Sequence, residues 1–72
     1  MRLGKYLSSL TKPELDYLKT NLSLTDDEEL IFDLVSKNKS LTEVSMKTGF
    51  SVTTIKRRKN DILQKVGRLN NG

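Results

Sequence analysis

Apolar positions along the chain recur at helical spacing. Leu15, Leu18 and Leu22 form one stripe, and Leu30, Ile31, Leu34 and Val35 a second. Leu41, Val44 and Thr48 share a third face, with the small Ser45 beside them, and Ile55, Ile62 and Val66 form a fourth stripe. Phe32 lies off its stripe, placed to pack on the segment before it. Leu3, Tyr6, Leu7 and Leu10 fall at i, i+3, i+4 and i+7, but Gly4 and two serines interrupt them. The pattern predicts an all-α domain of four helices over residues 11–69. A weakly structured arm (1–10) precedes it and a disordered tail (70–72) follows.

Polar start signals bound the stripes. Thr11 with Glu14, Thr25 with Glu28 and Ser40 with Glu43 each fit a capping box, in which two side chains satisfy two free backbone N–H groups. Pro13 is tolerated in a first turn because its missing N–H has no helical partner there. Asp26, Asp27, Glu28 and Glu29 crowd the start of the second stripe, where negative charge complements the helix dipole. A metal site is the weaker reading of these acids, since their spacing matches no calcium loop. Gly49 is placed to end the third helix in the left-handed conformation. Phe50 then precedes the Ser51 cap at a hydrophobic-staple position facing Ile55. Gly67 is the expected stop of the fourth helix, with Leu69 folding back onto the bundle.

The stretch from Ser40 to Val66 organises the rest. Two helix starts lie eleven residues apart, with a turn glycine between them, which is the layout of a helix-turn-helix. In that motif the second helix enters the DNA major groove.

Charge sharpens the picture. Residues 1–35 hold four Lys/Arg and seven Asp/Glu, for −3; residues 36–72 hold nine and two, for +7. The cations concentrate where the helix-turn-helix spacing lies, so double-stranded DNA is the expected partner. Cysteine and histidine are both absent, which removes disulfides, thiolate metal sites and the commonest general base. With no phosphate-binding glycine loop either, an enzyme is not expected, and no metal or cofactor. No apolar run approaches the roughly 18 residues that span a bilayer, and the first ten residues make no convincing signal peptide. A cytoplasmic protein is the expectation. A membrane-surface role is disfavoured because the basic helix has a narrow apolar side without aromatic residues.

With Ile55 pointing at the core and about 100° per residue, Thr53, Lys56, Arg57, Asn60 and Gln64 land between about 100° and 200°, on the outer side. Thr53, Lys56, Arg57 and Asn60 are the candidate base contacts. Arg or Lys pairs best with guanine, and Asn or Gln with adenine. Arg58 and Lys59 fall on the flanks, where phosphates would lie. Ser51 and Thr54 at the helix start, and Lys47 from the preceding helix, complete the phosphate-contact set. Four adjacent cations, Lys56 to Lys59, repel one another, which a helix facing only solvent has little reason to accept.

The stretch from Leu24 to Leu69 resembles the DNA-binding domain of LuxR-type response regulators and, more distantly, region four of bacterial sigma factors. The resemblance rests on Leu24-Thr25 followed by acids, Leu30 to Val35, Ser40, Val44-Ser45, Phe50-Ser51, Thr54-Ile55-Lys56 and Ile62 to Val66. It implies that Lys56, Arg57 and Asn60 face bases, with Thr53 a further contact. LuxR-type domains carry another helix after the recognition helix for pairing two copies. Here the extra helix, Thr11 to Asn21, lies in front. The whole is similar to small stand-alone sigma-like regulators of phages and mobile elements.

Two functions follow as expectations. The first is a sequence-specific transcriptional regulator whose fourth helix, about 52–66, reads the major groove. So small a module is expected to act as a homodimer at least on DNA, paired through the N-terminal segment or an edge formed by Leu63 and Leu69. The alternative is an interaction protein with a region four-like fold that binds RNA polymerase or another regulator through Asp26 to Glu29.

Overall fold

The computed structural model describes residues 3–71. They form five helices: α1 (Leu3–Ser8), α2 (Lys12–Asn21), α3 (Asp26–Ser36), α4 (Leu41–Thr48) and α5 (Val52–Asn71). No strand occurs among the described residues. The protein is therefore all-α, with one helix more than the four expected.

The capping signals set the starts. Thr11 and Thr25 each make a complete capping box: the hydroxyl accepts from the third helical N–H, and the glutamate returns to the cap N–H. The Thr11 amide donates to Glu14 Oε1 at 2.9 Å, and the Thr25 amide to Glu28 Oε1 at 3.0 Å. That bond holds the Glu14 carboxyl below its ordinary value. The third box is only half made. Ser40 Oγ accepts from the Glu43 amide at 3.1 Å. The Glu43 carboxylate instead turns to Lys39 at 3.4 Å and Lys47 at 3.9 Å. Two lysines one turn away on either side attract it more than a single amide.

Positive-φ residues make the turns. Ser23 (φ 54°) lies between α2 and α3, Asn38 (φ 62°) between α3 and α4, and Gly49 (φ 78°) between α4 and α5. Asn tolerates this conformation and Gly favours it. Ser23 does neither, and the structure supports it from outside: its carbonyl accepts from Lys65 Nζ at 3.2 Å.

α1 overturns the expectation of a loose arm. Leu3 and Leu7 are buried, and α1 packs against both α3 and α5. Six residues do not sustain a helix alone, so its order comes from burial of that face rather than from propensity. Met1 and Arg2 lie outside the described residues.

The α3 stripe is also wider than expected. Phe32, placed off the stripe, is fully buried, whereas Leu30, placed on it, is 45% exposed. α3 packs against α1, α4 and α5 at once, and Phe32 lines the groove towards α2. The buried arc from Leu34 through Ile31 and Val35 to Phe32 covers roughly 160°, and Leu30 falls just outside it. α2 is pinned by Leu18, Leu22 and an ion pair, Lys19 Nζ to Asp33 at 2.9 Å. That hydrogen bond holds the Lys19 ammonium above its ordinary value.

α5 does not stop at Gly67. It runs through this residue, which has no left-handed φ, to Asn71. Leu69 continues the apolar stripe and is half-buried against the core, so the helix gains by extending rather than folding back. Asn70 and Asn71, expected in a disordered tail, are its last residues, and Gly72 lies outside the described residues.

If α1 is a core element, Leu7→Ala should destabilise the protein by about 2–5 kcal/mol in urea denaturation. A change within about 0.5 kcal/mol, as at an exposed site, would mean that α1 frays in solution.

Candidate nucleic-acid interface

α5 presents its outer face because its inner face is held at several points. Ile55, Ile62 and Val66 are fully buried. They recur at seven and four residues, which returns them to one side of the helix. Leu63 and Leu69 are half-buried beside them. α3 and α4 both pack on this side.

One polar contact locks the helix further. Lys65 Nζ donates to Glu28 Oε1 at 2.6 Å and to the Ser23 carbonyl, tying α5 to the α2–α3 turn and to the start of α3. Glu28 is only 3% exposed, the one buried charged residue among those described. Burial pushes its carboxyl up. The Lys65 hydrogen bond, the Thr25 amide and the Lys65 charge together outweigh that and hold it below its ordinary value. Glu28 belongs to the dipole-facing acid run and caps α3, as its spacing from Thr25 predicts. Its pairing with Lys65, 37 residues away, had no local signal.

The short turn Gly49–Ser51 fixes α5 against α4. Gly49 caps α4 with its amide donating to the Ser45 carbonyl at 2.9 Å. Ser45 Oγ donates to the Phe50 carbonyl at 2.6 Å, and the Phe50 amide donates to Thr48 Oγ1 at 3.2 Å. Ser45 therefore braces the turn as well as being small. Phe50 is half-buried against the core that contains Ile55. Ser51 caps α5: its hydroxyl accepts from the Thr54 amide at 3.2 Å and donates to Thr54 Oγ1 at 2.9 Å.

The outer face carries the residues expected there. Thr53, Lys56, Arg57, Asn60 and Gln64 are all exposed. Arg58, Lys59 and Thr54 are half-buried on the flanks, and Ser51 is exposed at the start. Lys47 is exposed on α4, with its charge partly offset by Glu43. Among the described residues, the lysines that pair with carboxylates are Lys19, Lys39, Lys47 and Lys65. None of Lys56, Arg57, Arg58 and Lys59 does so. The densest cationic run in the chain is thus the one without internal neutralisation.

Two features of this face were missed. Arg68 is exposed and extends the outward stripe, which the expected stop at Gly67 had cut short. A shallow groove of about 530 Å³ also runs along one side of the stripe, between α5, α1 and α4. It could not be foreseen without α1 in place.

Compared with protein-family models, curated proteins and solved structures, the chain matches none. Among the described residues no helix is long and apolar enough to cross a membrane.

The Glu28–Lys65 pair sets a pH dependence. A carboxyl whose folded pKa is depressed contributes stability above its ordinary value, 4.5 for Glu28, and that stability is lost as pH falls through the lower folded value. Glu28→Gln should cost about 1–3 kcal/mol at pH 7 and flatten the fall in Tm below pH 4.5. An unchanged acid profile in thermal melts would show that the pair does not form.

Proposed function

We propose that α4, the Gly49–Ser51 turn and α5 form a helix-turn-helix, and that the protein is a sequence-specific DNA-binding transcriptional regulator. α5 is the recognition helix. The observation that carries this reading is the cationic run Lys56–Lys59, on the outer face and flanks of α5 and without an ion-pair partner among the described residues, on a helix whose inner side is held by Ile55, Ile62 and Val66. Rigid presentation matters because base contacts need a fixed register, which phosphate contacts then hold. The resemblance to LuxR-type domains and to sigma region four supports the same assignment.

In this reading Arg57 and Lys56 donate to guanine edges, and Asn60 takes adenine with Thr53 as a further contact. Arg58 and Lys59 neutralise phosphates on the flanks. Thr54, Ser51 and Lys47 hold the strand at the start of α5. Two copies on a two-fold site are the expected mode of use. The apolar face of α1 is spent inside the fold, so the N-terminal segment has less to offer that pairing than expected. An assignment to RNA polymerase or another regulator through Asp26 to Glu29 has weaker support. Glu28 is buried on Lys65, and Glu29 shares Lys19 with Asp33.

Binding to mixed-sequence duplex DNA across a salt series tests the proposal. Log affinity should fall linearly with log salt, by about 0.9 per phosphate neutralised. Arg57→Ala should bind the mixed pool nearly as well as wild type, yet lose about 1–3 kcal/mol on a site selected from random DNA. No measurable binding at low salt would overturn the DNA reading and favour a protein partner.

A further inference from the structure

The groove beside the recognition face combines features that DNA alone does not use. It is lined by Leu3, Leu41, Lys56, Lys59, Asn60 and Leu63. Leu41 and Leu63 are half-buried, so each leaves apolar surface open to the groove, and Lys59 is half-buried beside them. No carboxylate lines it, and neither lysine has an ion-pair partner among the described residues. Its volume of about 530 Å³ lies within the roughly 300–1,000 Å³ of ordinary binding clefts.

We infer that this groove takes an acidic, amphipathic peptide segment of a partner protein, and that this occupant and duplex DNA exclude one another. Leucine surface beside two ammonium groups is complementary to apolar side chains accompanied by carboxylates. A phosphate backbone would satisfy the lysines but leave Leu41 and Leu63 uncovered. The open shape suits a helix laid along it, with anchors at i, i+3, i+4 and i+7. Exclusion follows from shared residues: Lys56 and Asn60 line the groove and also stand among the candidate base contacts. A partner seated there covers both, so the device is a competitive off-switch. The exclusion rests on the DNA reading given above, whereas the groove's occupant does not.

The test uses a fluorescein-labelled peptide of about 15 residues, the length at which isolated helices become tenable. It carries leucines at i, i+3, i+4 and i+7 and glutamates on the flanks. The expected result is saturable anisotropy with the full chain. The double variant Lys56→Glu/Lys59→Glu should weaken it at least about tenfold. A peptide with serine for leucine should not bind. Unlabelled duplex DNA should displace the peptide from wild type. Duplex carrying the selected site should displace the peptide less readily from Arg57→Ala, whose residue 57 does not line the groove, while mixed-sequence duplex should displace it about equally from both. Absence of binding at about 100 µM would overturn the proposal. Equal binding of the serine peptide would show attraction by charge alone and overturn it as well. Simultaneous binding of peptide and DNA would overturn the exclusion. Peptide binding by a chain that does not bind DNA would overturn the DNA reading and the exclusion together, and leave the groove's occupant standing.

Discussion

The burial of one side of α5 is the constraint on which the rest depends. Ile55, Ile62 and Val66 have no exposed surface, and α1, α3 and α4 all pack on this helix. A 20-residue helix with a strongly cationic outer face is not stable by itself, because its adjacent charges repel. Packing on the apolar stripe overrides that repulsion. The outward position of Lys56, Arg57 and Asn60 is then a consequence of which side is buried. The Glu28–Lys65 bond adds a second restraint, placed well along the helix from the cationic run.

This arrangement explains how the chain separates its charges. Three of the five acids of α3 are paired, Glu28 with Lys65, and Glu29 and Asp33 with Lys19, while Asp26 and Asp27 are exposed at the helix start. Ion pairs within the fold thus engage three of the five α3 acids, whereas the run of positive charge on one helix has no such partner among the described residues. Electrostatic steering towards a polyanion follows from such a distribution.

Most of the helix starts were legible because they rest on local chemistry. Thr11, Thr25, Ser40 and Ser51 sit where short polar side chains cap a first turn, and Gly49 takes the left-handed φ that its position demanded. The outer face of α5 was legible for a similar reason, since periodicity alone places Thr53 to Gln64. What was not legible depended on long-range packing. α1 forms because α3 and α5 cover Leu3 and Leu7. Phe32 is buried because α3 is packed on several sides. Lys65 finds Glu28 across 37 residues. Gly67 shows the converse: a local stop signal lost to the tertiary gain of burying Leu69. The groove beside Lys56 and Lys59 needed three helices in place before it existed.

Backbone-amide NMR during titration with mixed-sequence duplex DNA would show which helix meets the duplex. Chemical-shift changes should concentrate on the amides of Ser51, Thr53, Lys56, Arg57, Asn60 and Gln64. The amides of Tyr17 on α2 and Leu30 on α3 should stay in place. Shifts centred on α2 and the start of α3, with α5 unmoved, would contradict the placement of DNA on α5.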